Sequence, residues 1–338
     1  GESALNAVLT AAASGSVAVG KDALGALTSG EKNTAVGYQA LLTQIDGDKN
    51  TAVGYQALKM AEAASDGYGY NTAVGSSALT ALTTGTGCVA LGADALSKST
   101  DGDGNVAIGY SALMNAAVSE DFNIAIGYDA MKNVDEGTAG GDADNNIAIG
   151  FNALLGGDFA GNDRQLQGNI AIGGEALDAT GTNAQTGTIA IGKSALTALT
   201  TGYNNLAIGY NAGLTMTSGA NNVFIGYSVA DAIGTDTTGN AIVGRGAFGG
   251  SHTGSCHYHT AVGDEALAGA LTTASAGSVA IGRQALTALT SGIGNVAIGY
   301  QSMDANATSD YNTAVGYSTL GAVNSDGDGM NSAVGYNA

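Results

Sequence analysis

Short apolar runs that end in glycine recur from one end of the chain to the other. Residues 33–41 read Asn-Thr-Ala-Val-Gly-Tyr-Gln-Ala-Leu, and residues 50–58 are nearly a copy of them. In most runs a β-branched residue, an alanine and a second β-branched residue precede the glycine, which is typical of a short β-strand. The second half of the period, as in residues 194–202, predicts another short strand followed by a turn rich in threonine and glycine.

The spacing of these runs defines the repeat. Successive glycines that close the runs are 17 to 23 residues apart, and 17 is the minimum. A constant minimum with insertions indicates one structural unit per period, with the additional residues in surface loops. The 18 glycines are Gly20, Gly37, Gly54, Gly75, Gly92, Gly109, Gly127, Gly150, Gly173, Gly192, Gly209, Gly226, Gly244, Gly263, Gly282, Gly299, Gly316 and Gly335.

Two short strands and two turns per period predict one coil of a parallel β-solenoid. The predicted fold is therefore all-β, with about 18 coils of 17–23 residues. Each strand is expected to pair with the equivalent strand of the next coil, about 4.8 Å away. Because the repeat is not interrupted, we expect residues 1–338 to form a single continuous domain that begins and ends in the middle of a coil.

The sizes of the side chains predict which face of the strand is buried. Neighbours along a strand point to opposite faces. The second and fourth positions of the motif, such as Val17 and Val19 or Ile124 and Ile126, are therefore expected to fill the inside of the coil. The third position is nearly always alanine and the fifth is glycine. A thin coil has little core of its own, so this face of small residues is expected to pack against neighbouring chains in a side-by-side homotrimer.

Two positions of the motif predict ladders of similar side chains. Asparagine occupies the first position in 13 of the 18 motifs, and tyrosine occupies the sixth position in nine. The asparagines are expected to hydrogen-bond from coil to coil. The tyrosines are expected to stack on one another, and a glycan-binding platform is the alternative interpretation. Representative members of the two ladders are Asn33, Asn50, Asn105, Tyr38, Tyr55 and Tyr110.

Composition narrows the range of partners. The formal net charge is −19, which disfavours nucleic acid as a ligand, and no apolar run approaches the length of a membrane span.

The chain has no proline, as expected of strands in which every backbone N–H is needed for pairing. Cys88 and Cys256 lie nine coils apart in the predicted fold, so they cannot form a disulfide within one chain.

The three histidines lie together, between residues 252 and 259. His257 and His259 are expected to share one face of a strand. Three chains around an axis would then present six imidazoles, a set suited to a transition metal such as iron, nickel or zinc. Histidines of a solvated or stacked loop, without a metal, are the alternative.

Acidic turns suggest a second type of ion site. Residues 46–48, 101–104 and 326–329 place aspartates on alternate positions around glycine, as at the start of a calcium loop, but they lack the closing glutamate of an EF-hand. We expect ordinary Asp-Gly turns here, and weak Ca²⁺ binding is the alternative.

Two longer insertions, residues 134–145 and 156–168, are candidate receptor-binding loops. Loops on one face of a repeat array are common binding positions, although loops without a function also vary at little cost. The candidate residues are Asp135, Glu136, Asp142, Asp144, Asp158, Asp163 and Arg164. No catalytic serine, cysteine or phosphate-loop arrangement is recognisable, so we do not expect an enzyme.

The motif Asn-x-Ala-Val/Ile-Gly followed by Ala-Leu resembles the head repeats of trimeric autotransporter adhesins (YadA-like head repeats). It is even more similar to the Asn-Thr-Ala-Val-Gly-Tyr-Gln-Ala-Leu arrays in tail-fibre proteins of marine and cyanobacterial phages. This resemblance covers essentially the whole chain, although the period is longer than that of the adhesin repeat. It implies a left-handed parallel β-roll with three chains side by side and a role in attachment.

The resemblance therefore predicts a structural, adhesive fibre segment of a phage tail fibre that presents surface loops to the host. Its partners would be further copies of the same chain and a cell-surface receptor or glycan. Its location would be extracellular, on the surface of a virion or a cell. A bacterial cell-surface trimeric adhesin, or the subunit of a self-stacking extracellular filament, is the alternative.

Overall fold

The computed structural model shows two compact units. One unit comprises Gly1–Asn169 with Gly181–Ala184, and the other comprises Ile170–Thr180 with Gln185–Ala338. The structure describes residues 1–6, 14–61, 69–134, 142–156, 165–180, 184–234, 237–272, 275–322 and 329–338.

The secondary structure that the described residues form consists of very short strands and turns, without a helix. The strands of the first unit are β1 (Val17–Val19), β2 (Thr34–Val36), β3 (Thr51–Val53), β4 (Thr72–Val74), β5 (Val89–Leu91), β6 (Val106–Ile108), β7 (Ile124–Ile126), β8 (Ile147–Ile149) and β9 (Leu166–Gln167).

The second unit repeats the same three-residue strand and adds a second set of strands. Its elements are β10 (Ile170–Ile172), β11 (Gln185–Thr186), β12 (Ile189–Ile191), β13 (Thr201–Tyr203), β14 (Leu206–Ile208), β15 (Ser218–Ala220), β16 (Val223–Ile225), β17 (Thr237–Thr238), β18 (Ala241–Val243), β19 (Cys256–His257), β20 (Thr260–Val262), β21 (Ser275–Ala276), β22 (Val279–Ile281), β23 (Val296–Ile298), β24 (Thr313–Val315) and β25 (Ser332–Val334).

Successive motif strands pair in parallel and in register. In the first unit β1 to β8 pair in chain order, with alanine opposite alanine, as in Ala35↔Ala52 between β2 and β3. In the second unit β10, β12, β14, β16, β18, β20 and β22 to β25 pair in the same way. The described residues thus form an all-β parallel β-solenoid, which confirms this part of the predicted fold class; the left-handed winding and the side-by-side homotrimer stay predictions.

The second strand of the repeat lies later in the period than predicted. Residues 194–198 form turns, because Ser194 (φ 57°) and Leu196 (φ 51°) adopt the left-handed conformation. The additional strand β13 begins at Thr201, within the stretch predicted to be a turn. It belongs to a second parallel sheet of the second unit, which contains β11, β13, β15, β17, β19 and β21.

The prediction of which face is buried is wrong. The alanine of each strand, such as Ala35 or Ala52, is fully buried, whereas Val17 and Val19 are 49% and 55% exposed. A turn of about 17 residues encloses a thin interior. Alanines from the strand therefore face leucines such as Leu41 from the following turn, and the bulkier β-branched residues point outwards.

Two natural departures from the repeat pattern in the second unit show how little free volume the interior has. Phe224 takes the position that alanine occupies in other strands, and its ring is fully buried. One turn earlier, Gly213 takes the position of the buried leucine, and a Cβ at Gly213 would lie 2.7 Å from Cδ2 of Leu196 and 3.3 Å from Cδ2 of Phe224. The Leu196 side chain and the Phe224 ring together therefore leave no room for a side chain at Gly213, as expected of a close-packed interior.

Candidate functional site

The outward side of the motif strands carries a row of apolar side chains, and we call this side the outer β face. It consists of the first and third residues of β1 to β8 in the first unit and of the equivalent strands in the second. The third residue is Val, Ile or Leu in every one of these strands. The most exposed of these third residues are Val19, Leu91, Ile149, Val243, Val262, Ile281 and Val334, between 36% and 76% exposed. Contiguous exposed apolar surface of this kind marks interaction sites.

Sequence reasoning placed these residues in the interior and so missed the outer β face. One signal for the correct orientation was present in the sequence. Thr34, Thr51 and Thr72 occupy the same position as Val17. A row of threonine hydroxyls inside a thin coil would need hydrogen-bond partners that an alanine- and leucine-lined interior does not supply.

A column of aromatic residues runs beside the outer β face, one residue after the motif glycines. Tyr38 and Tyr55 stack with ring centroids 5.5 Å apart, and Tyr110 stacks on Tyr128 at 5.2 Å. In the second unit Tyr300, Tyr317 and Tyr336 stack in series at 5.1 and 5.0 Å. Because these rings cover one another, mainly their edges are available to a ligand.

The asparagine column lies in the interior and joins successive turns. Asn33 and Asn50 are buried, and Oδ1 of Asn33 accepts the backbone N–H of Asn50 at 2.9 Å. Asn105 does the same for Asn123 at 2.9 Å, and its amide donates to the carbonyl of Glu120 at 2.5 Å. The side-chain oxygens of Asn33, Asn50 and Asn105 thus each accept a backbone N–H of the next turn, which is a structural role.

The acidic turns use their carboxylates for backbone contacts. Asp48 accepts the N–H of Glu31 at 2.7 Å, and Asp103 accepts the N–H of Thr86 at 2.7 Å. Asp101 accepts the N–H of Ser119 at 2.9 Å. These hydrogen bonds join residues 17 or 18 apart, in neighbouring turns of the solenoid. Residues 326–328 of the third acidic turn lie outside the described residues.

Two of the candidate loop residues are described. Asp144 accepts the N–H of Asp121 at 2.8 Å, and Asp142 accepts the amide of Gln167 at 2.9 Å. Both carboxylates therefore contact the first unit itself. The other candidates, Asp135, Glu136, Asp158, Asp163 and Arg164, lie outside the described residues.

Asp103, Asp121 and Asp144 occupy equivalent positions in successive turns and bring three carboxylates together. Burial, followed by the negative charges of Asp144, Asp103 and Asp101, raises the pKa of Asp121. We expect Asp121→Asn to increase the unfolding free energy at pH 7 by about 0.2–1 kcal/mol, because it removes like-charge repulsion and keeps the oxygen that accepts the N–H of Asp103. Urea unfolding of the purified variant measures this change.

Asp310 supplies the matched control for that substitution. It accepts the N–H of Ile293 at 2.8 Å in the same kind of turn, but the equivalent residues of the adjacent turns, Ile293 and Gly329, are uncharged. Asp310→Asn should therefore leave the unfolding free energy unchanged or lower it. An equal gain in both variants would show that repulsion between carboxylates is not the cause.

The structure separates the two histidines that were expected to share a face. His259 takes the asparagine position and is buried, with Nε2 donating to the carbonyl of Ser275 at 3.0 Å and Nδ1 accepting the N–H of Ser278 at 3.3 Å. His257 is half-buried on β19. The residue between them, Tyr258, has φ of 60°, which interrupts the alternation of a strand. Since both ring nitrogens of His259 are engaged, the pair does not present a bidentate metal site.

The third histidine is also enclosed. His252 is buried, its Nε2 donates to the carbonyl of Phe248 at 3.1 Å, and its Nδ1 accepts the N–H of Leu271 at 3.0 Å. Burial lowers the pKa of His252 and of His259 to about 4. These two histidines are therefore neutral members of the interior at pH 7.

The two cysteines are free and buried. Burial raises the pKa of both thiols to about 11, so they are protonated at neutral pH and poor nucleophiles. Within the described residues, no group of three or more His, Cys, Asp or Glu side chains is arranged to hold a metal ion.

The described residues contain no helix that is long and apolar enough to cross a membrane.

Comparison with known proteins identifies no family for this chain. No protein-family model and no curated protein matches the chain.

Proposed function

We propose that the protein is a structural, adhesive fibre segment in which three copies pack side by side through the outer β face. The observation that carries this proposal is the apolar residue at the third position of every motif strand, which is partly or largely exposed in each of them. A neighbouring copy has the same periodicity, so a second row of Val and Ile side chains with the same spacing can cover this face. The faces in contact are the β-branched ones, rather than the alanine and glycine faces expected from the sequence.

The proposed biological context is the tail fibre of a phage. Three parallel copies present three equivalent sets of surface groups, which increases the strength of attachment to a host surface by avidity. The location is then extracellular, at the surface of the virion. The same assembly would serve a bacterial cell-surface trimeric adhesin or an extracellular filament. Detection of the protein in purified virions would support the tail fibre, and detection in cell envelopes would support the adhesin or the filament.

Oligomeric mass tests the assembly. Light scattering is expected to give three times the 32.8 kDa mass of the chain. The double variant Ile191→Lys with Ile208→Glu should be a monomer. These residues lie opposite each other on β12 and β14, so the introduced charges can pair in the solvated free chain. In the trimer the same charges would be buried away from water, which disfavours assembly.

A second double variant controls for the charges themselves. Asn204 and Asn221 are exposed neighbours in successive turns, with Nδ2 of Asn204 3.4 Å from Oδ1 of Asn221. Lysine occurs naturally at the equivalent positions 32 and 49. Asn204→Lys with Asn221→Glu should keep the mass of a trimer. A monomeric wild-type protein, or a trimer that survives both charges on the outer β face, would overturn the proposed assembly.

A further inference from the structure

The second sheet of the second unit carries a shallow groove, which we call the Tyr203 groove. Its volume is about 390 Å³, and it is lined by Thr201, Gly202, Tyr203, Gly219, Ala220 and Thr238. These residues come from β13, β15 and β17. The groove therefore lies on the side of the turn that carries the additional strands and not on the outer β face.

The floor of the groove is made of backbone. Gly202 and Gly219 are opposite each other in register, and a Cβ on Gly202 would overlap the carbonyl oxygen of Gly219. Beside them, Ala220 contributes only a methyl group. The surface next to Tyr203 is therefore flat and bears no side chain larger than a methyl group. It leaves room for a planar or chair-shaped ring beside the tyrosine.

Tyr203 forms the wall of the groove, and this residue is 52% exposed. Its register partners in the adjacent strands are Thr186 and Ala220, which are too small to cover the ring. Among the described residues, no aromatic or cationic group stacks on Tyr203, in contrast to Tyr210 and Tyr227, whose rings stack at 5.4 Å. A face of the Tyr203 ring is therefore available to a ligand.

The polar groups of the groove are hydroxyls. Among the residues that the structure describes, the hydroxyls of Thr201, Tyr203 and Thr238 form no hydrogen bond, and the lining contains no charged side chain. Hydroxyl groups both donate and accept. The groove therefore suits a ligand that has C–H groups on one face and hydroxyls on its edge. The C–H face can pack on the exposed aromatic ring above the flat floor of small residues, and the ligand hydroxyls can bond to the free hydroxyls around it.

We propose that the Tyr203 groove binds one ring of a neutral saccharide, with the sugar C–H groups packed on the electron-rich face of Tyr203. A net charge of −19 disfavours anionic glycans and nucleic acids. An extended peptide has no free strand edge to join, because β13 pairs with both β11 and β15, and β15 pairs also with β17. The assignment rests on the proposed function, since it names the class of receptor to which the fibre would attach.

Native gel electrophoresis through immobilised neutral polysaccharides tests the groove. The probes are dextran, laminarin, galactomannan and arabinoxylan. At least one of them should retard the wild-type protein. Tyr203→Ala should then raise the apparent dissociation constant by about tenfold or more, as expected when an aromatic anchor is removed, whereas Tyr203→Phe should bind within about threefold of the wild type.

Tyr311→Ala is the matched control, because Tyr311 is 51% exposed on the same unit and lies outside the groove; it should bind like the wild type. The groove assignment is overturned if none of the four polysaccharides retards the protein, or if Tyr203→Ala binds as the wild type does. Light scattering on the same samples separates this failure from that of the proposed function, because a trimer without saccharide binding rejects only the groove. A monomer that still binds through Tyr203 rejects only the trimeric fibre.

Discussion

Replacing Gly109 with alanine is expected to lower the unfolding free energy by about 3 kcal/mol or more. Gly109 ends β6 with φ of 135°, a conformation that residues with a Cβ rarely adopt. A Cβ at this position would overlap the carbonyl oxygen of Gly127 in the next turn and lie 2.7 Å from its carbonyl carbon. Because the contact is with backbone, relief requires that two turns move apart, which weakens their ladder of hydrogen bonds.

Gly87→Ala provides the comparison that identifies the cause. Gly87 also has positive φ, 68°, but nothing lies within 4 Å of the position that an alanine Cβ would take. Lys49 adopts φ of 57° at the equivalent place in another turn, so side chains are tolerated there. The expected cost of Gly87→Ala is about 1 kcal/mol. Chemical unfolding of both variants measures the difference, and equal destabilisation would argue against contact between turns as the reason for the glycine.

Acidification is expected to destabilise the second unit through its buried histidines. The pKa of His252 and of His259 is about 4 in the folded protein, below the value of about 6.5 in an unfolded chain. Between these values the unfolded state binds more protons than the folded state. The unfolding free energy therefore falls as the pH falls from about 6.5 to about 4, by about 3 kcal/mol for each histidine.

His259→Asn should remove the contribution of one histidine. Asparagine is the usual residue at this position, and its amide can accept the N–H of Ser278 and donate to the carbonyl of Ser275 as the imidazole does. The measurement is the unfolding free energy of wild type and variant at pH 7 and pH 4.5, and the loss between the two pH values should be smaller in the variant by about 2–3 kcal/mol.

Ser278→Asn is the control, since it introduces the same residue one turn later in the column and leaves His259 in place. Its pH dependence should equal that of the wild type. Carboxylates with raised pKa, such as Asp121, favour folding on acidification, but they are common to all three proteins and cancel in the comparison. Identical pH dependence of wild type and His259→Asn would refute a role for this imidazole.

The period and the strand position were predictable because both depend on local sequence. Gly37 and the β-branched residues around Ala35 recur at a minimum spacing that only a repeated coil explains. The burial of the strand faces was not predicted, because side-chain size alone admits two explanations for Ala35. A small residue can face a neighbouring chain, or it can face the opposite wall of a narrow interior, and the structure shows the second.

The candidate sites could not be predicted correctly from individual residues, because they depend on backbone conformation and on contacts between turns. His257 and His259 would share a face only in an unbroken strand, and the left-handed conformation of Tyr258 breaks it. Tyr203 lies two residues before the motif asparagine Asn205 and not in the sixth position of the stacked tyrosines, but its sequence neighbours do not show which side chains adjoin its ring. Its exposed ring face results from Thr186 and Ala220, which adjoin it only after the turns have stacked.

The equivalence of the turns has a consequence at the level of the gene. Residues 33–41 and 50–58 are nearly identical in sequence, and Asn33 bonds to Asn50 in the same way as Asn50 bonds to Asn71. Unequal recombination between such segments adds or deletes a whole turn and restores the same contacts at the new junction. The number of turns can thus change between generations in single steps of about 4.8 Å, while the interior columns stay intact.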